Sequence, residues 1–224
     1  MRLLSIRATR SLWLFHVGDL NPRGKSVTRD ALSEMATRYS FAKIPDVKEI
    51  TEARTKNQPF VFGGGIFKTK TGITTEISLT LYRDGILVDS TSSTSDGDEV
   101  LDDLLSWLHT DLGLIDYKTI QVTKVYVNEV FVSMSNSLNA INPKLDAFMQ
   151  MIGTKLKSPV KKPTYQVGAL GFWIDPEQNP KHVHFRIERA EERPFSENRY
   201  YSIAPLETEE HLKALQVLDD LMAK

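Results

Sequence analysis

The chain has 224 residues, and its 28 Lys and Arg against 29 Asp and Glu give a formal net charge of −1. Hydrophobic residues make up 41 % of the chain and charged residues 25 %, which excludes a disordered, collagen-like or strongly basic protein. The sequence contains no cysteine, so disulfides, thiol catalysis and cysteine-bound metals are excluded as well. No apolar run approaches the roughly 18 residues that cross a bilayer, and we therefore expect a cytoplasmic protein without a membrane segment.

The first half is predicted to begin with a strand, a helix and a second, glycine-interrupted strand. Residues 11–17 form a continuous apolar run of strand length that ends at Gly18. Apolar residues at helical spacing predict a helix over residues 27–39. Residues 60–67 are apolar but contain three glycines at 63–65, a pattern typical of a bulge, a bend or a close backbone approach.

A β-hairpin is predicted to follow. Apolar and polar residues alternate over 73–81, as in a half-buried strand. The Arg-Asp-Gly sequence at 83–85 is predicted to form the turn, because Asp-Gly tolerates the positive φ that tight hairpin turns require. Residues 86–89 then return as the paired strand.

A long amphipathic helix comes next, with Ser95 or Asp96 predicted as its N-cap and Glu99 completing a capping box. We expect this helix to end at Gly113. Paired carboxylates can bind metal or transfer protons, but near a helix N-terminus capping and solvation account for most of them. The acidic cluster comprises Asp96, Asp98, Glu99, Asp102 and Asp103.

The second half repeats the order of strand, helix, three strands and helix. Its strands are predicted at 120–134, 165–174, 181–189 and 199–203. Asn142 and Pro143 are the expected N-cap and first residue of a helix, whose apolar stripe is Leu145, Phe148, Met149, Ile152 and Leu156. The last helix, at about 209–222, is predicted to bury Leu212, Leu215, Leu218, Leu221 and Met222.

These elements predict an α+β fold with mostly antiparallel sheets and packed helices. The matching order predicts a pseudo-duplicated β-α-β-β-β-α unit. The two copies are residues 1–113 and 114–224, which form either two halves or one continuous domain.

A phosphate-binding turn is the first functional alternative. Gly24-Lys25-Ser26 lies between an apolar strand and a helix, as in a P-loop, and Asp89 ends a strand as a metal-holding acid would. Such a turn makes Lys25, Ser26 and Asp89 the nucleotide-binding candidates. Against it, Asp19 stands where the full motif requires glycine, and the hairpins are unlike parallel βαβ units. A simple turn followed by a helix cap explains the same residues.

A basic linker is the second alternative. Its lysines, interleaved further on with aromatic residues and arginines, are typical of nucleic-acid binding. Acidic residues also alternate with those arginines, which favours a solvated, salt-bridged face. The candidate lysines are Lys155, Lys157, Lys161 and Lys162.

Histidines and tryptophans complete the candidates. His182 and His184 share one face of a predicted strand, but no third ligand has a fixed spacing, so we predict no metal site. Trp13 is expected in the core, whereas Trp173 is a candidate interface residue.

No complete catalytic motif is present, and the catalytic residues, if any, are unknown from sequence. We expect a non-catalytic intracellular interaction or assembly protein, without a cofactor, that associates with itself or with another protein. The phosphate- or nucleotide-handling enzyme and the nucleic-acid-binding protein remain the alternatives.

Overall fold

The computed structural model describes residues 1–23, 29–46, 58–155, 165–175, 177–178 and 184–223. Within these ranges the chain forms five α-helices and eight strands, and the fold is α+β as the sequence predicts. The strands are β1 (Arg2–Leu14), β2 (Phe60–Lys68), β3 (Thr74–Tyr82), β4 (Gly85–Ser90), β5 (Thr123–Ser133), β6 (Ala169–Phe172), β7 (Phe185–Arg189) and β8 (Arg199–Ala204). The helices are α1 (Val17–Leu20), α2 (Arg29–Arg38), α3 (Thr94–Thr110), α4 (Leu145–Lys155) and α5 (Thr208–Leu221).

The eight strands belong to one sheet in the order β2-β3-β4-β1-β5-β8-β7-β6. Strand β4 pairs in antiparallel fashion with β1 and β3, and β2 pairs in the same way with β3. The pairs β6–β7 and β7–β8 are also antiparallel. The prediction of mostly antiparallel pairing is therefore confirmed.

The chain divides into two compact units. The first unit comprises Ala8–Asn128 and Leu206–Thr208, and the second comprises Met1–Arg7, Glu129–Pro205 and Glu209–Lys224. The predicted division of the chain at residue 113 stays a prediction.

The first unit has a large apolar core beneath α3. This helix buries its predicted apolar face, including Leu101 and Leu104, against β-strand residues such as Ile77 and Val88. Trp13 is buried there too, which confirms its expected place in the core. In the second unit a smaller core surrounds Leu215 on α5. Its other buried apolar members are Val130, Val132, Met134, Leu138, Ile187, Tyr200 and Met222.

The capping box of α3 exists, but its predicted residues are wrong. Ser93 is the N-cap, and its hydroxyl accepts a hydrogen bond from the Asp96 backbone N–H at 3.1 Å. The Asp96 carboxylate accepts from the Ser93 N–H in return. Asp96 is therefore the third residue of the helix and not its N-cap. The capping box begins at Ser93, three residues earlier in the chain than the predicted box of Asp96 and Glu99.

The predicted hairpin at 83–85 is confirmed, but the reason given for its glycine is wrong. Tyr82 pairs with Gly85, so Arg83 and Asp84 form the two-residue loop, and none of these residues has a positive φ. A Cβ on Gly85 would lie 2.5 Å from the Trp13 carbonyl oxygen. Glycine is required here because neighbouring strand backbone approaches closely.

The three glycines of β2 form the predicted irregularity. The β2–β3 register shifts between Phe62 and Gly65, and Gly64 has a φ of 64°. A Cβ on Gly65 would lie 2.4 Å from the Phe41 ring. The segment 39–43 crosses here and hydrogen-bonds to β2, with a reciprocal backbone pair between Lys43 and Gly63 at 3.0 Å.

Candidate functional site

The acidic cluster on α3 contributes to folding rather than forming one site. Asp98 accepts hydrogen bonds from Trp13 Nε1 at 2.8 Å, Tyr126 Oη at 2.7 Å and Lys124 Nζ at 2.9 Å. Burial and the hydrogen bond to Asp98 raise the pKa of Tyr126. The cluster of donors thus ties α3 to β1 and β5 through one carboxylate.

The remaining acids of α3 have separate partners. Asp103 accepts two hydrogen bonds from Arg38 and one from Tyr39; partial burial opposes the charge, but these bonds hold the pKa of Asp103 below its usual value. Asp102 accepts from the Tyr117 hydroxyl, and Glu99 from the backbone N–H of Lys70. Asp96 acts in the helix cap, whereas the other four acids accept hydrogen bonds from separate partners, which favours structural roles over a shared metal or proton-transfer site.

The phosphate-binding candidates are not brought together by the described structure. Gly24-Lys25-Ser26 lies outside the described residues. Asp89 forms a cross-strand ion pair with Arg10, Oδ1 to Nε at 2.8 Å. The nucleotide-binding role of Lys25, Ser26 and Asp89 therefore stays a prediction.

The basic linker is also largely outside the described ranges. Lys155 is exposed at the end of α4, whereas Lys157, Lys161 and Lys162 lie outside them. Nucleic-acid binding by these lysines stays a prediction. Downstream, Arg186 pairs with Glu188 at 2.7 Å and Arg199 with Glu197 at 2.8 Å, as expected of a salt-bridged face.

Two histidines of the second unit have identifiable surroundings. His184 lies with its ring centroid 5.1 Å from that of Trp173, and its predicted companion His182 is outside the described residues. His211 on α5 is fully buried, with Nε2 2.9 Å from Ser202 Oγ, and burial lowers its pKa to about 4. The described part of the chain holds no group of three or more His, Asp or Glu suited to a metal ion.

The second unit carries an apolar groove between α5 and the strands β6 and β7. Its cavity is about 300 Å³. Leu221 is 60 % exposed and Val217 58 % exposed, one turn apart on α5. The groove is lined by Phe172, Phe185, Ala214, Val217, Leu218 and Leu221. Trp173, the predicted interface candidate, directly follows β6 and is 63 % exposed.

This groove is not predictable from helical spacing alone, which places Leu221 in the core. Leu218 and Leu221 both belong to the predicted apolar stripe of this helix. Leu218 packs against the core of the second unit, whereas Leu221 is 60 % exposed. The stripe predicted for α4 is likewise poorly covered, since Leu145 and Phe148 are exposed. Leu156, its last member, lies outside the described residues. The i, i+4 pair of Val217 with Leu221 was the available signal for the groove.

The first unit contains a larger cavity, of about 760 Å³. Its walls come from α1, α2, α3 and the strands β2 to β4, and they are mainly aliphatic and aromatic. Arg83 at the hairpin loop and His16 lie on its lining, and no acidic residue does among the described lining residues.

The chain matches no known protein-family model, and no curated protein sequence is significantly similar to it. Among the described helices, none has both the length and the apolar composition required to cross a membrane.

Proposed function

We propose that this chain is a non-catalytic interaction protein that associates with a second copy of itself through its second unit. The observation that carries the proposal is the apolar groove beside β6, which leaves Phe172, Val217 and Leu221 each more than half exposed. Contiguous exposed apolar surface of this kind marks interaction sites in proteins. A cytoplasmic location, expected from composition, is part of the same proposal.

The edge strand β6 supports a second copy as the partner. This strand ends the sheet, and no described segment pairs with its outer side. Residues 167–174 contain neither a charge nor a proline, the two features that most often protect an exposed edge. An unprotected apolar strand pairs readily with an identical strand from another copy.

A two-fold arrangement satisfies both features together. Antiparallel pairing of β6 with its symmetry mate fills the open hydrogen bonds of both strands. Phe172 lines the groove beside this edge, so pairing at β6 would bring apolar side chains of the two copies together. Burial of such side chains contributes roughly 25 cal/mol per Å² of apolar surface removed from water.

The strand order also supports the proposed duplication. From the edge of the sheet to its middle, the strands of the first half lie in the order β2-β3-β4-β1. The strands of the second half, taken from the opposite edge, lie in the order β6-β7-β8-β5, so in each half the second strand is at the edge and the first is in the middle. A helix comes after the first strand and after the fourth strand of each half. We infer that one unit was duplicated and that the second copy adapted its exposed faces for association.

The test compares two exposed apolar residues by native mass spectrometry and sedimentation velocity. Leu221→Lys places a charge in the groove, and we expect it to convert dimers into monomers with an unchanged circular dichroism melt. Ile66→Lys, at a residue 54 % exposed in the first unit, is the matched control and should remain dimeric.

A wild-type protein that is monomeric at tens of micromolar would overturn self-association. Dimers that persist in Leu221→Lys and in Trp173→Ala would remove the groove as the interface. A monomer that is captured by a different, defined protein through the same residues would replace the second copy as the partner.

A further inference from the structure

The large cavity of the first unit carries an inference that is independent of self-association. Protein interiors are close-packed, and voids larger than a water molecule are few. A cavity of about 760 Å³ is instead in the range of roughly 300 to 1,000 Å³ that small-molecule sites occupy. We propose that this cavity binds an elongated apolar carboxylate of the fatty-acid class.

The walls select an apolar ligand body. Leu20 and Ala31 contribute from the first two helices, Phe62 and Ile86 from the sheet, and Leu104 from α3. All five are buried, so the wall that they form around the cavity is apolar and shielded from water. These residues come from helices and strands that are far apart in the sequence, so the cavity exists only in the folded protein.

The charged residue on the lining selects an anionic head. Arg83 is the permanent cation among the described lining residues, and its guanidinium has no ion pair with any described residue. His16, the lining imidazole, already faces Asp19, with Nδ1 3.7 Å from Oδ1. Arg83 is therefore the group that would hold a carboxylate, in the bidentate geometry that guanidinium favours.

The hairpin gives Arg83 a fixed position. The Arg83 carbonyl accepts a hydrogen bond from the Val17 N–H at 3.1 Å, so the loop is tied to the start of α1 at the cavity. Tyr82 and Gln58, both lining residues, supply further polar atoms. A few polar groups on a mainly apolar wall orient a ligand with one polar end.

The experiment measures binding of two probes that differ only in their head group. Dodecanoate and dodecanol are titrated into the full chain by isothermal titration calorimetry, below their aggregation concentrations. We expect dodecanoate to bind and to raise the melting temperature. Arg83→Met should weaken dodecanoate binding about tenfold and leave dodecanol unchanged. Arg2→Met, an exposed arginine outside the cavity, is the control for loss of charge.

A second variant tests the location. Leu32→Trp adds volume at a partly buried lining residue, and both probes should lose affinity while the fold is retained by circular dichroism. Absence of dodecanoate binding to the wild type would overturn the proposal. If Arg83→Met lowered the affinity for both probes equally, Arg83 would not be the group that binds the carboxylate. If the protein bound Mg-ATP but not dodecanoate, the ligand would be a nucleotide and not a fatty acid.

Discussion

The strand order of the first half, β2-β3-β4-β1, matches that of the second half, β6-β7-β8-β5, but the two compact units bury very different numbers of apolar residues. Among the described residues, the first unit buries 17 apolar residues in one cluster, whereas the second buries 8. The helix α3 is covered along its apolar face, while α4 and α5 expose Phe148 and Leu221. The first unit therefore has the larger buried core, whereas the helices α4 and α5 of the second unit leave large apolar side chains exposed.

The largest contrast is expected between matched leucines of the two units. Leu101→Ala removes a fully buried side chain of the first core and should cost about 2–5 kcal/mol in the free energy of unfolding. Leu221→Ala, in the exposed groove, should change the stability of the monomer by less than about 0.5 kcal/mol. Urea unfolding of both variants provides the measurement. Similar losses at the two positions would remove the contrast between the units.

We expect the stability of the second unit to fall at acidic pH because His211 is buried in its neutral form. Its pKa falls from the ordinary 6.5 to about 4 because the folded protein buries the neutral ring. The unfolded chain therefore binds a proton first, so stability is full above pH 6.5 and declines as pH falls toward 4. The loss amounts to about 3 kcal/mol. His211→Leu should abolish this part of the pH dependence in urea unfolding at several pH values, and parallel slopes for variant and wild type would contradict it.

A comparison of Asp98 with Asp89 tests whether Asp98 is needed for stability while Asp89 at the surface is not. Asp98→Ala leaves three donors without their acceptor and should destabilise the chain by about 2 kcal/mol. Asp89→Ala, which breaks the exposed pair with Arg10, should cost at most about 1 kcal/mol. Thermal unfolding of both variants gives the comparison, and equal costs would argue against a structural role for Asp98.

The smallest expected effect is at the N-cap of α3. Ser93→Ala removes the hydroxyl that accepts from Asp96 N–H and should cost about 1 kcal/mol. Ser95→Ala, two residues later on the exposed side of the helix, should be nearly neutral. Chemical denaturation separates the two, and a larger cost for Ser95 would restore it as the cap.

Local features could be predicted well from the sequence. The hairpin of β3 and β4 follows from alternation of apolar residues and from a turn between them, both of which are set by neighbours in the chain. The bulge at Gly64 was predictable for the same reason. The cap was misplaced because Ser93 and Ser95 both precede acids, and only backbone geometry decides between them.

Surface and site features could not be predicted to the same extent. Periodicity places Leu218 and Leu221 on one helix, but it does not say how far the sheet extends beneath them. The cavity near Arg83 arises from elements that meet only in three dimensions. Trp173 is exposed, and its role at an interface stays a prediction.

The crossing segment at 39–43 has a consequence for stoichiometry. It occupies some backbone groups of β2, whereas no described segment pairs with the outer side of β6 at the other end of the sheet. A molecule with two free edges would polymerise, since each addition regenerates a site for the next. Under the proposed self-association, pairing through β6 alone gives each molecule one binding site, so assembly closes when two copies meet.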